Sequence, residues 1–182
     1  VMIAVIPDLN QLKAAQCFEP RAPVSMLEDI AETLKKLTSP FVRLWIKNPR
    51  YEKVNFCLRV KLMPEKDEVY YKEKLQQDIR EFLAPWAVGE YEKLAFGQPI
   101  SRSDMIRFLE TRDYLDYIID LKMVHADDDA DIKIAGDKEQ EIMPITPRSI
   151  LIAGTIDVCI DAKDCETWCE CGKDATGKDI PC

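Results

Sequence analysis

From Val54 to Leu62 the chain alternates without a break. Val54, Phe56, Leu58, Val60 and Leu62 share one side, and Asn55, Cys57, Arg59 and Lys61 share the other. A strict period of two belongs to an extended strand, because successive side chains there point to opposite faces. One apolar and one polar side predict a strand buried on one face and wet on the other, as in an antiparallel sheet. Cys57 then sits on the outer face as a small packing residue.

The rest of the chain supplies partners for that strand. Ser25-Met26-Leu27-Glu28 has the form of a capping box, and Leu27, Ile30, Leu34 and Leu37 follow at helical spacing up to Ser39-Pro40. Asp67 is placed to cap a second helix, whose stripe is Tyr71, Leu75, Ile79 and Phe82 and whose stop is Pro85. Such a stripe is the usual lining of a core. Ser101 or Ser103 caps a short third helix carrying Met105, Ile106, Phe108 and Leu109. Further strands are predicted at Met2–Ile6, Phe41–Lys47 and Leu115–Met123, with a last one at Ser149–Ile160 broken by Gly154. This order predicts an α+β fold, a ferredoxin-like split β-α-β antiparallel sheet with helices on one face. A loop and short helix are inserted before the fourth strand. Residues 1–160 form the domain, and residues 161–182 form an irregular, flexible, Cys-rich tail.

Composition narrows the partners. A net charge of −8 argues against nucleic acid and against an anionic membrane surface, both of which call for a basic face. No apolar run approaches the roughly 18 residues of a membrane span. The opening Val1-Met2-Ile3-Ala4-Val5-Ile6 has no basic segment before its short apolar run, so it does not read as a signal peptide. The chain reads as an excised part of a longer protein.

Little in the sequence has the spacing of chemistry. His125 is the sole histidine and no serine stands in a nucleophile elbow, so it reads as a satisfied surface residue and the chain as no enzyme. Glycine-rich phosphate loops are missing. Asp127, Asp129 and Asp131 match the first ligand spacings of a calcium loop, but Ile132 and Lys138 stand where glycine and glutamate belong, which leaves a solvated acidic loop. Seven cysteines, an odd number with no export signal, read as reduced thiols in the cytosol. Five follow the pattern C-x5-C-x3-C-x-C-x10-C. Zinc ribbons instead space their paired thiols by about two to four residues. If zinc were held, Cys159, Cys165, Cys169 and Cys171 would be its ligands. That alternative is a regulatory domain binding a metal or small ligand through its tail. No cofactor is otherwise implied.

Phe82-Leu83-Ala84-Pro85-Trp86, then Phe96-Gly97, Ile100, Ser103 and Asp116-Tyr117, resemble in order the C-terminal region of baseplate J-like proteins, wedge components of contractile phage tails and extracellular injection systems. Met2–Leu9, Ser39–Leu62 and Arg148–Leu151 extend the resemblance over about residues 1–160. Gln98 replaces the second glycine of the family's turn, and Cys165–Cys182 has no counterpart. The resemblance implies a structural subunit with no catalytic residues, assembled in the bacterial cytoplasm into the phage or injection-system particle. Its expected partners are other baseplate subunits and copies of itself in a sixfold arrangement, coupled to sheath contraction. In this reading Pro85, Trp86, Phe96, Gly97, Ile100, Ser103 and Tyr117 are an architectural signature, with Trp86 and Phe96 substantially buried.

Overall fold

The computed structural model describes residues 1–9, 17–126 and 141–160. The predicted alternating strand is β3 (Arg50–Leu62), and it is the axis of the molecule. It pairs antiparallel with β5 (Leu115–His125) on one side and parallel with β7 (Ser149–Ile160) on the other. Around this central sheet lie α2 (Glu68–Leu83) and α3 (Arg102–Glu110). Two small sheets complete the order: β1 (Met2–Ala4) with β2 (Trp45–Lys47), joined through α1 (Val24–Leu37), and β4 (Ile100–Ser101) with β6 (Glu141–Ile142).

The fold is α+β, but the single ferredoxin-like antiparallel sheet does not form. β1 and β2 are parallel and pair only with each other, in register from Met2 opposite Trp45 to Ala4 opposite Lys47. Their α1 crossover is what a parallel pair requires. The place beside β3 goes to β7, which makes the central sheet mixed. Nor is the capping box used. α1 starts at Val24 behind Pro23 and has no side-chain cap, so Ser25 falls inside the first turn. Asp67 does cap α2, accepting from Tyr70 N at 2.7 Å, and Ser101 caps α3, accepting from Ser103 N at 3.2 Å.

The expected wet face of β3 is covered only at Tyr51 and Cys57, while Lys53 is exposed and Asn55, Arg59 and Lys61 stay partly exposed. Val54, Phe56, Leu58, Val60 and Leu62 pack against Leu75 and Ile79 of α2 and Met105 and Leu109 of α3. Phe82 stacks on Phe108 at 4.1 Å and ties the two helices together. On the opposite parity, Tyr51 clusters with Ile150, Ile152, Ala84 and Trp86. Cys57 is fully buried as well. A central strand flanked by two neighbours has both faces available to packing, so alternation alone could not report that the second was taken in part.

β7 is continuous through Gly154. A register shift there sets one extra residue of β7 against Val54–Phe56, which is a β-bulge. Asn55 Oδ1 accepts from Thr155 N at 2.9 Å across the bulge, and a Cβ on Gly154 would collide with that same oxygen. Glycine is needed here for close approach.

Two buried tyrosines pin loops to the core. Tyr51 donates to Pro20 O at 2.8 Å, and Tyr114 donates to Asp78 Oδ2 at 2.8 Å. Burial raises both phenols above their ordinary range, and for Tyr114 the bond to Asp78 adds to it. A raised folded value means that stability is fully present below the unfolded pKa of 10.0 and is lost as pH rises beyond it. Each tyrosine should cost about 1.4 kcal/mol per pH unit above that point. Denaturant midpoints measured from pH 8 to pH 11 should therefore fall steeply above about pH 10, and less steeply in Tyr114→Phe. An unchanged slope in the variant would remove Tyr114 as a source of the fall.

Candidate functional site

The Phe82–Glu110 stretch begins as a helix stop and becomes a strap. α2 ends at Leu83, Pro85 opens a 3-10 helix over Pro85–Val88, and Gly89 closes it at φ 98°. Trp86 is 4% exposed and donates through Nε1 to Cys17 O at 3.0 Å. Phe96 is half-buried against the same second cluster. Gly97 takes φ 67°, which favours glycine, and its N–H donates to Ser149 O at 2.8 Å. The strap thus carries Trp86 and Phe96 onto the second face of the central sheet. Ile100 pairs with Ile142 and packs against the first core, away from them. Ser103 is exposed, and Tyr117 is exposed beneath Lys61 at 5.6 Å. The seven signature residues therefore converge only in part, and none meets another as a chemical group.

A polar cluster lies where the helices no longer cover the first face. Glu52 shares the parity of Val54, so the alternation points a carboxylate inward, and it is fully buried. Ser149 Oγ donates to its Oε1 in a short hydrogen bond. Ile145 N donates to Oε2 at 2.9 Å, His125 Nε2 lies 3.0 Å from the same oxygen, and Arg50 Nε is 3.4 Å from Oε1. His125 is thus not a surface residue: its side chain is 11% exposed because β5 ends beside the start of β3. The carboxylate sits between Ser149 and His125. The serine proton goes to Glu52 and no imidazole nitrogen reaches the hydroxyl, which is the wrong connectivity for a Ser-His-Asp relay. Four donors converge on one buried carboxylate, as a structural clamp requires. The sequence signal for it was a lone acid on an apolar strand face.

Two grooves, of about 290 Å³ and 260 Å³, lie between α2 and α3 and between α3 and β5. Both lie at the small end of common ligand pockets, which hold about 300–1,000 Å³. Among the described residues no group of His, Cys, Asp and Glu could hold a metal ion. Cys57 and Cys159 are disulfide-bonded. This corrects the reading of both as reduced thiols. It also takes Cys159 out of the zinc set, because the ligand is a thiolate. Cys165, Cys169, Cys171 and the acidic residues Asp127, Asp129 and Asp131 lie outside the described residues, as does the tail. No described helix is long and apolar enough to cross a membrane.

A family model described as Baseplate protein PVC11-like matches residues 2–146. The chain belongs to this family. No curated protein matches it. Eight chains of solved structures do. One of them is a chain of the anti-feeding prophage baseplate, determined by cryo-EM with 6-fold symmetry applied. It superposes with a TM-score of 0.56 at 18% identity, over 76% of this chain and 26% of that one. This PVC11-like chain therefore spans about a quarter of the length of that protein, and at such identity the likeness is one of fold. The resemblance to baseplate J-like proteins is met at the level of a baseplate protein, with PVC11-like as the family that matches.

Proposed function

We propose that the chain is a structural, non-enzymatic module of the baseplate of a contractile, phage-tail-like injection system. It makes wedge and ring contacts with other baseplate subunits and with copies of itself in a sixfold assembly formed in the bacterial cytoplasm, and it helps couple the baseplate to sheath contraction. The observation that carries this reading is the family match, which runs from β1 to the loop before β7. Residues 1–160 would be the assembling module and 161–182 an appendage to it. The clamp at Glu52 and the strap at Trp86 fit such a role, since each fixes the direction of a surface element and neither presents a reactive group.

The reading is tested by tagging the subunit that carries this chain in cells producing complete particles. The tag should be recovered with sheath and baseplate subunits, and deletion of the chain should leave particles without a closed baseplate by electron microscopy. Normal, contractile particles in the deletion strain would refute it.

A further inference from the structure

The N-terminal β1–α1–β2 unit is built as if part of it were missing. α1 buries no residue completely, and its main partner is the three-residue strand β2. A two-stranded parallel sheet rarely stands alone, because parallel strands are normally covered on both faces. Here Met2 and Trp45 stand opposite each other in register, each about half exposed. In the segment between α1 and β2, Leu37 is 80% and Phe41 96% exposed, and Val42 N donates to Ser39 O in the turn that carries Phe41. Exposed apolar side chains gathered at such a corner of the chain are a mark of an interface.

Its charge runs against that of the chain. Between Glu32 and Glu52 lie Lys35, Lys36, Arg43, Lys47 and Arg50 and no carboxylate, in a protein of net charge −8. The complementary feature is on the chain itself. The 260 Å³ groove between α3 and β5 is lined by Ile106, Leu115 and Ile118 and by Glu110, Asp116 and Asp120, with Arg102 paired to Asp120 at 3.7 Å. Tyr117 and Ile119 stand exposed at its edge. One surface offers exposed apolar side chains in a basic stretch of chain, and the other a groove lined by apolar side chains and carboxylates.

We infer that the Leu37–Lys47 corner of one copy docks, Phe41 first, into the α3–β5 groove of a second copy. The two patches differ, so the contact is head-to-tail, the kind that closes into a ring under rotation. The inference rests on the baseplate reading, which sets copies of the chain side by side.

Sedimentation velocity on the 182-residue chain, from about 10 µM to about 1 mM, tests it. The wild type should associate with concentration, and less so in high salt. Lys36→Glu/Arg43→Glu and Glu110→Lys/Asp116→Lys should each weaken association about tenfold or more at unchanged melting temperature. Mixed together, the two variants should pair, the unaltered groove of the first with the unaltered corner of the second and the two charge-reversed surfaces with each other. Phe41→Ser should weaken association without any charge change. A chain that stays monomeric, or two variants that fail to pair, overturns the inference. So does binding of anionic vesicles or duplex DNA through Arg43 and Phe41 by a chain that does not self-associate. Recovery in particles without pairing of the variants sinks only this contact. Pairing without recovery in particles sinks the baseplate reading and leaves the contact standing.

Discussion

Glu52→Leu should destabilise the chain by about 3–5 kcal/mol, the loss expected when one member of a buried ionic cluster is removed. Leucine fits the apolar parity of β3, so the loss does not come from poor packing. It comes from what is left behind. The Ile145 amide, the Ser149 hydroxyl, the His125 ring nitrogen and the Arg50 guanidinium all converge on this carboxylate. Each buried donor deprived of its acceptor costs about 1–3 kcal/mol, and relaxation toward water recovers part. Glu52→Gln keeps the shape and one acceptor but turns an NH2 group toward other donors, so it should fall between leucine and wild type. Urea unfolding would show the midpoint falling in the order Glu, Gln, Leu. Hydrogen exchange at the Ile145 amide should accelerate first, because that loop hangs from Glu52. A leucine variant within about 1 kcal/mol of wild type would mean that the cluster is ornamental.

The same residue shows what could be read from sequence and what could not. Alternation over Val54–Leu62 located the central strand, and helical spacing located α1, α2 and α3 to within a few residues. Caps formed by local hydrogen bonds, such as Asp67 and Ser101, were legible because the partner lies within three residues. Apart from the unused capping box at Ser25, what failed was non-local. Whether β7 joins β3 parallel or a fourth strand joins it antiparallel depends on which pair buries more surface, and no local pattern encodes that. The cover over the Tyr51 end of the second face comes from Trp86 and Phe18, distant in sequence, and the alternation did not show it. Glu52, Ser149 and His125 meet across three strands, and only the acid on an apolar face hinted at the site. The basic corner was hidden by averaging: a net charge of −8 concealed a stretch with no acid at all.

Trp86→Ala should cost about 3–5 kcal/mol, the range for truncating a buried large aromatic. Trp86 touches Tyr51, Ile150 and Ile152 through its cluster, so the cavity would open directly on β3 and β7. Its bond to Cys17 O is a smaller part, and Trp86→Phe, which keeps most of the apolar volume and loses the N–H, should cost about 1–2 kcal/mol. The two variants also separate packing from positioning. Cys17 to Pro20 is the segment that leads into α1, and it is held by Trp86 and by Tyr51. Loosening it should let the β1–α1–β2 unit swing, so Trp86→Ala should also weaken self-association of the chain at temperatures where it remains folded. Phe41→Ser, far out on the corner, should leave unfolding unchanged and weaken association alone. If Trp86→Ala and Trp86→Phe lose equally little, the strap is not what closes the second face of the sheet.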